Sequence, residues 1–385
     1  MIKIREKIER FVYSGKIQGP GSFGILKMIK YVAKAVDRGK IVGLFSYLKF
    51  ITLPKKTVLI SKPFVMACFV NSKCNLNCPY YCYGVPDDSH LGSQYGGKAL
   101  LGGCRNMTID DFKKISNHEV FKNSLAAIFS GGEPLLNKDF FKILDYAGKK
   151  FPVIHLTTNG TLMADYVDKI IESPLTHINI SLDAYSAEEY KKMRDKENGK
   201  ELFDRVVKNI KNLVKKKEQN NKDLEIIIST VVGKLNYKNM QKMIDFAKSL
   251  GVNSLNFQNI VGFDNGELEK ETLMIEDQEV KDFITSLKEK NSDFHVTYPR
   301  ILSKDKSIRG CRQPFDSLTI DADGNIGPCS VMVPNPNNNF GNIFKDKDVW
   351  NSKEITGLRS SLLDGEKSLG SHFCKDCTFL NGKIF

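Results

Sequence analysis

No part of the 385-residue sequence has the layout of a secretory signal: Lys and Arg recur throughout the N-terminus, and no small-residue cleavage site follows an apolar run. Nor does any run suffice to span a bilayer. The longest nearly apolar stretch, Ile41 to Leu53, is interrupted by Lys49 and falls short of the roughly 20 residues a crossing helix needs. A cytoplasmic protein without a transmembrane helix is therefore expected. The six histidines show no metal-ligand spacing, and no internal repeat or extended low-complexity segment stands out. With 41% hydrophobic and 26% charged residues, the composition is that of a chain able to bury a sizeable core.

Acidic residues are scarce in one place only. Thirteen Lys or Arg against Glu6, Glu9 and Asp37 give residues 1–60 a net +10 of the chain's +12. The other 325 residues are close to neutral, so composition implies no basic groove through the main domain and no nucleic-acid partner is expected. Residues 22–38 read as a helix on which Lys27, Lys30, Lys34, Asp37 and Arg38 share a narrow arc beside a wide apolar face. The first reading is a helix packed on the main domain. The second is peripheral contact with an anionic membrane through residues 22–53.

Nine cysteines without an export signal point to metal or redox chemistry rather than disulfides. Cys74, Cys78 and Cys82 form a tight group, and Cys311, Cys329, Cys374 and Cys377 a looser one. Cys68 reads as a core strand residue and Cys104 as a loop thiol.

From residue 64 short apolar runs alternate with amphipathic segments, as in repeated strand-helix units. Six strands are expected at Val65 to Val70, Leu125 to Phe129, Val153 to Thr157, His177 to Leu182, Leu224 to Val232 and Asn253 to Gln258. Helices are expected at Asn137 to Lys149, Leu162 to Glu172, Phe203 to Lys217 and Tyr237 to Leu250, with another near 276–289. The fold class is α/β, a partial (β/α)6 TIM-like barrel whose active residues should gather at strand C-terminal ends. Three units are expected: a basic helical extension (1–62), the barrel (63–300) and a cysteine-rich β-hairpin module (301–385). In the last, Ser317 to Cys329 reads as a hairpin turning at Asp323-Gly324-Asn325.

Four polar motifs sit at predicted strand ends. CNLNCPYYCYG (74–84) follows the first strand; three thiolates on one loop can ligate three irons of a cubane and leave the fourth open. A zinc site with Cys68 as fourth ligand is the alternative at this point. SGGEPLL (130–136) pairs glycines that admit close backbone approach with Glu133, an acceptor for a ligand ammonium group. TTNGTL (157–162) follows the third strand, and ISLDAYSAEEYKKMR (180–194) brings Ser181 and Asp183, which alternate toward the barrel mouth, and Arg194. His155 and His177 on predicted strands read as structural.

In this order, over roughly residues 64–262, the cysteine loop, Gly-Gly-Glu, Thr-Asn-Gly and Ser-Leu-Asp resemble the radical S-adenosylmethionine (SAM) superfamily. The resemblance implies that Cys74, Cys78 and Cys82 hold a [4Fe-4S] cluster whose open iron chelates SAM. It implies further that Gly131, Gly132 and Glu133 bind the SAM amino group, and that Ser181, Asp183, Arg194 and Asn159 contact the rest of it. The loop departs from the family's CxxxCxxC by one residue, Tyr80-Tyr81 standing where one aromatic is usual, which reads as a bulge. The C-terminal set Cys311, Cys329, Cys374 and Cys377 resembles SPASM and Twitch extensions and implies one auxiliary [4Fe-4S] cluster. A zinc ribbon is the alternative there.

The implied function is reductive SAM cleavage and hydrogen abstraction from a peptide, sugar or other metabolite, in a net oxidation fed by a donor such as flavodoxin or ferredoxin. The rival reading is a non-catalytic iron-sulfur electron-transfer or metal-binding protein that kept the fold.

Overall fold

The computed structural model describes residues 25–52, 55–76, 78, 85–86, 105–194, 198–260, 266–304, 311–330, 334, 340–364, 374 and 377–383. Cys82, Cys104, residues 1–24 and the loop 335–339 lie outside them.

Six parallel strands carry the barrel: β1 (Val65–Phe69), β2 (Ala126–Ser130), β3 (Val153–Thr158), β4 (His177–Ser181), β5 (Glu225–Val232) and β6 (Ser254–Asn259). They pair in chain order, each expected strand lying within one residue of its place. The pattern was legible because each strand is buried on both sides. Ile154, Leu156, Ile178, Ile180, Ile226 and Ile228 point outward into the core shared with the helices. Period-2 alternation turns His155, Asn179 and Ile227 the other way, into the barrel.

The helices outside are α3 (Ile109–Asn117), α4 (Phe140–Lys150), α5 (Val167–Glu172), α6 (Ala187–Met193), α7 (Gly199–Gln219), α8 (Met240–Ser249) and α9 (Gln278–Lys290). Their starts are written locally. Thr108 and Asp111 close a reciprocal capping box on α3, and Ser186 and Asp277 accept the free N–H groups at the starts of α6 and α9. Before these come α1 (Ile25–Asp37) and α2 (Ile41–Thr52), a hairpin packed under the N-terminal ends of the strands. No described helix is long and apolar enough to cross a membrane.

The sheet continues past both edges of the barrel. A short strand β7 (Val296–Thr297) adds parallel to β6. On the other side β8 (Ser317–Asp321) adds parallel to β1, with Cys68 opposite Ile320. β8 then turns at Gly324 and pairs antiparallel with β9 (Ile326–Gly327), the expected hairpin. Helix α10 (Lys353–Leu363) covers this end, and a two-residue ladder joins Ile301–Leu302 to Gly382–Lys383. The cysteine-rich segment thus shares the barrel's sheet, a continuity that hydrophobic patterning does not announce.

Candidate active site

The segment leaving β1 is sewn to the loop leaving β2 by backbone and amide bonds. Gly132 N donates to Asn71 O (3.0 Å), Glu133 N to Lys73 O (2.7 Å), and the Asn71 side-chain amide to Glu133 O (2.9 Å). This contact explains the paired glycines. A Cβ on Gly132 would overlap the Lys73 carbonyl and lie 2.6 Å from Ser72 O. Gly131 stands at φ +154 against the Asn71 carbonyl. Asn137 closes the layer from below, donating to Val70 O (3.1 Å) and Met107 O (2.9 Å). Cys74 and Cys78 follow at once and are 7% and 8% exposed.

Glu133 has no solvent exposure. Its carboxylate accepts from Leu135 N (3.1 Å), the Thr158 hydroxyl (2.8 Å) and Asn159 N (2.7 Å), which ties the end of β2 to the end of β3. Burial pushes its carboxyl up to about 7 against the pull of those three bonds. The folded chain therefore holds this proton between the usual 4.5 and about 7, where the unfolded chain has lost it. That contribution to stability is present below the unfolded value and is lost as pH rises through the folded one. Glu133→Gln should remove a slope of about 3 kcal/mol across that window. Urea unfolding of both proteins at pH 5 and pH 8 checks it: the gap between the two pH values should shrink in the variant.

Asn159 reaches from β3 back to the cysteine loop, its amide donating to Asn75 Oδ1 (2.8 Å) and standing 3.9 Å from Cys74 Sγ. Asn75 in turn donates to the Thr161 hydroxyl (2.8 Å), and Asn209 on α7 holds Gly160 O (2.9 Å). From β4, Asp183 accepts Val231 N (2.7 Å) and pairs with Arg194 Nε at 2.6 Å. The Arg194 guanidinium also donates to Cys78 Sγ at 3.7 Å. Burial pushes the Cys78 thiol up to about 11, opposed chiefly by Arg194. Ser181, half-buried, ends β4, and Leu182 packs into the outer core as expected from the alternation. Asp183 also borders a shallow cleft with Tyr185, Thr230, Asn236 and Met240.

The structure thus gathers Cys74, Cys78, Gly131, Gly132, Glu133, Asn159, Asp183 and Arg194 around one loop. Reasoning from motifs missed Asn71, Asn137 and Asn209, and gave no role to Asn75, Thr158 and Thr161 within the motifs it found. Lone Asn and Thr residues carry no spacing signal, and here they act by bridging segments far apart in sequence.

Cys329, Cys374 and Cys377 are buried together with Leu358 and Leu380, and Cys311 packs against them. None of the described cysteines is in a disulfide. Burial, then the fields of Cys329, Cys311 and Cys377, push the Cys374 thiol up. Four thiols this close are costly to ionise without a compensating cation, so the donor set fits an iron-sulfur cluster. Among the described residues no three His, Cys, Asp or Glu could share a single metal ion. A cubane asks less, because its ligands are spread over separate irons.

Comparison with known proteins agrees with this arrangement. Residues 69–247 match the model of the radical SAM superfamily, and residues 311–378 that of an iron-sulfur cluster-binding domain, SPASM. The probable GTP 3',8-cyclase of Methanococcus maripaludis is 32% identical over 125 residues, 32% of this chain and 38% of that protein. That of Saccharolobus islandicus is 28% identical over 190 residues, 47% of this chain and 52% of its own length. The chain thus spans about half or less of these two relatives. Among solved structures, Streptococcus suis SuiB bound to S-adenosylmethionine superposes with TM-score 0.58 at 16% identity, over 92% of this chain and 78% of SuiB. Native anSMEcpe with bound AdoMet superposes with TM-score 0.55 at 17% identity, over 83% of this chain and 89% of its own. Across its barrel this chain belongs to the radical SAM superfamily, and its C-terminal segment is an iron-sulfur cluster-binding domain of the SPASM type.

Proposed function

We propose that the chain reductively cleaves SAM at a [4Fe-4S] cluster held by Cys74, Cys78 and Cys82, and modifies a peptide in a net oxidation. Cys311, Cys329, Cys374 and Cys377 would hold the auxiliary cluster, whose saturated ligand set suits electron transfer. When bound, the first cluster and SAM supply a 5'-deoxyadenosyl radical that takes hydrogen from the substrate. The observation that carries this reading is the convergence of four strand ends on the cysteine loop. In it the Gly-Gly turn fixes the approach of Cys74, Glu133 locks β2 to β3, and Asp183 aims Arg194 at Cys78. Asn159 and Arg194, which reach Cys74 and Cys78, and Ser181 at the end of β4 would contact SAM in this reading.

The peptide reading has two supports. SuiB was solved with its precursor peptide SuiA, and anSMEcpe with the Cp18Cys peptide, on folds like this one. The barrel interior also suits a neutral polar ligand. His155, which burial drives down to about 4 and so leaves uncharged, lies there with Asn179, Ser229 and Asn256, and no inward position on β1 to β6 is Lys or Arg. A triphosphate, as in GTP, would need cations there.

The experiment is anaerobic reconstitution with assay of iron, sulfide and 5'-deoxyadenosine under dithionite and SAM. The wild type should hold about eight irons and form deoxyadenosine; Cys82→Ala should hold about four and form none. About four irons and no deoxyadenosine in both proteins would favour the non-catalytic alternative. Stimulation of deoxyadenosine release by GTP but not by peptides would replace the peptide reading.

A further inference from the structure

The C-terminal cysteine set is flanked by two cations drawn from far apart in the chain. Lys55, just past the end of α2, donates its ammonium to Cys311 O at 3.2 Å and lies over the Phe315 ring, 5.1 Å from its centre. Burial pulls its pKa down, and Cys311 is the first of the groups that oppose this. Arg300 comes from a different segment, which Asn381 binds to the turn between Cys374 and Cys377. The Asn381 backbone N–H donates to Cys377 O (2.9 Å), its amide donates to Cys374 O (3.1 Å), and its carbonyl accepts from Ser303 N (3.1 Å). Arg300 is half-buried, and burial lowers its pKa against the fields of Cys311 and Cys377. Neither Lys55 nor Arg300 lies in a cysteine motif, and the chemistry of the barrel mouth uses neither.

The neighbours do not cancel this charge. Arg312, next in sequence to Cys311, turns away to lie over Phe50 at 5.1 Å, and Asp316 acts on Lys55 less than Cys311 does. A [4Fe-4S] cluster on four thiolates gains one negative charge when it is reduced, so a cation beside it stabilises the reduced form more than the oxidised one. The low exposure of Cys329, Cys374 and Cys377 keeps water from screening that attraction. We propose that Lys55 and Arg300 raise the reduction potential of the C-terminal cluster and so make it an electron acceptor. The proposal rests on the assignment of Cys311, Cys329, Cys374 and Cys377 to that cluster, and it deepens the net oxidation proposed above. The substrate radical left by hydrogen abstraction supplies the one electron, and loses a proton to water as its double bond forms.

Potentiometric titration of the anaerobically reconstituted full-length chain, followed by electron paramagnetic resonance beside an iron count, tests it. Cys82→Ala serves as the background, so that the C-terminal cluster is read alone. Lys55→Gln and Arg300→Gln each keep an amide donor without the charge. Each should make the cluster about tenfold harder to reduce, a drop of about 59 mV for one electron. Lys55→Arg keeps the charge and should keep the potential, whereas a side chain that served packing alone would leave the potential indifferent to charge. About four irons with an unchanged potential in either glutamine variant, or an equal drop in Lys55→Arg, would overturn the proposal and leave the cluster assignment standing. A background chain that binds no iron would overturn both.

Discussion

Gly132→Ala should abolish deoxyadenosine formation, by about 100-fold or more, although it adds a single methyl group. The methyl would overlap the Lys73 carbonyl, one residue before Cys74, and lie 2.6 Å from Ser72 O. Backbone on both sides of that contact is held by the Gly132 N to Asn71 O and Glu133 N to Lys73 O bonds, so neither side can yield alone. The loop must move outward and take Cys74 with it. A displacement of about 1 Å at a reacting centre costs on the order of 100-fold. Iron should fall from about eight to about four per chain, the C-terminal set being untouched. Gly357→Ala is the control. A Cβ there meets nothing within 4 Å, on a helix where Ala is favoured by roughly 0.5–1 kcal/mol, so activity and iron should be unchanged. Full activity in Gly132→Ala would mean that the loop is looser than its hydrogen bonds imply.

This position also marks how far the sequence could be read. The two glycines were recognisable as a close approach, but not what they approach. Their partner is the backbone of residues 71–73, sixty residues away, and no pattern in either segment names the other. The strands were legible for the opposite reason. Ile154 and Leu156, or Ile226 and Ile228, are apolar because they are buried, so the run of residue types is itself the record of the environment. Glu133 lies between these cases. Its motif was recognised and read as an acceptor for the SAM amine, yet the carboxylate already takes hydrogen bonds from Leu135, Thr158 and Asn159. Glu133 therefore has a structural role, tying β2 to β3, that local sequence did not reveal.

The N-terminal helix shows the same limit from another side. Periodicity placed α1 to within the described residues, and the charged arc suggested that its apolar face would be hidden. It has apolar residues on two faces instead, Ala35 turned inward and Val32 and Val36 outward. A helical wheel counts apolar positions but cannot say how many surfaces they serve. The C-terminal segment was read as a separate hairpin module from its turn and cysteines. Its pairing of β8 with β1, Val65 opposite Ser317 and Phe69 opposite Asp321, depends on a strand 250 residues earlier.

Arg359→Leu should give the reverse phenotype of Gly132→Ala. Arg359 has no solvent exposure and lies on Trp350, 4.1 Å from the ring centre. Burial lowers its pKa to about 10, so it stays charged at neutral pH. It donates to Pro314 O (2.8 Å), Asn351 Oδ1 (2.9 Å) and Thr57 O (3.3 Å). Asn351 then exchanges two bonds with the backbone of Leu59, and Trp350 donates to Ser61 O (2.6 Å). One guanidinium thus clamps residues 57–61 to α10, and Leu358 beside it packs on Cys329, Cys374 and Cys377. Leucine fills part of the volume but leaves the Pro314 and Thr57 carbonyls without this donor, a loss of about 3–5 kcal/mol. Arg359→Lys keeps the charge without the planar fork and should lose about half as much. Thermal unfolding checks both. In Arg359→Leu iron should fall to about four per chain while dithionite-driven deoxyadenosine formation continues, because the damage lies at the C-terminal cysteines and not at the loop after β1. Loss of all iron would show instead that the β8–β1 pairing couples the two cysteine sets, so that neither cluster site survives alone.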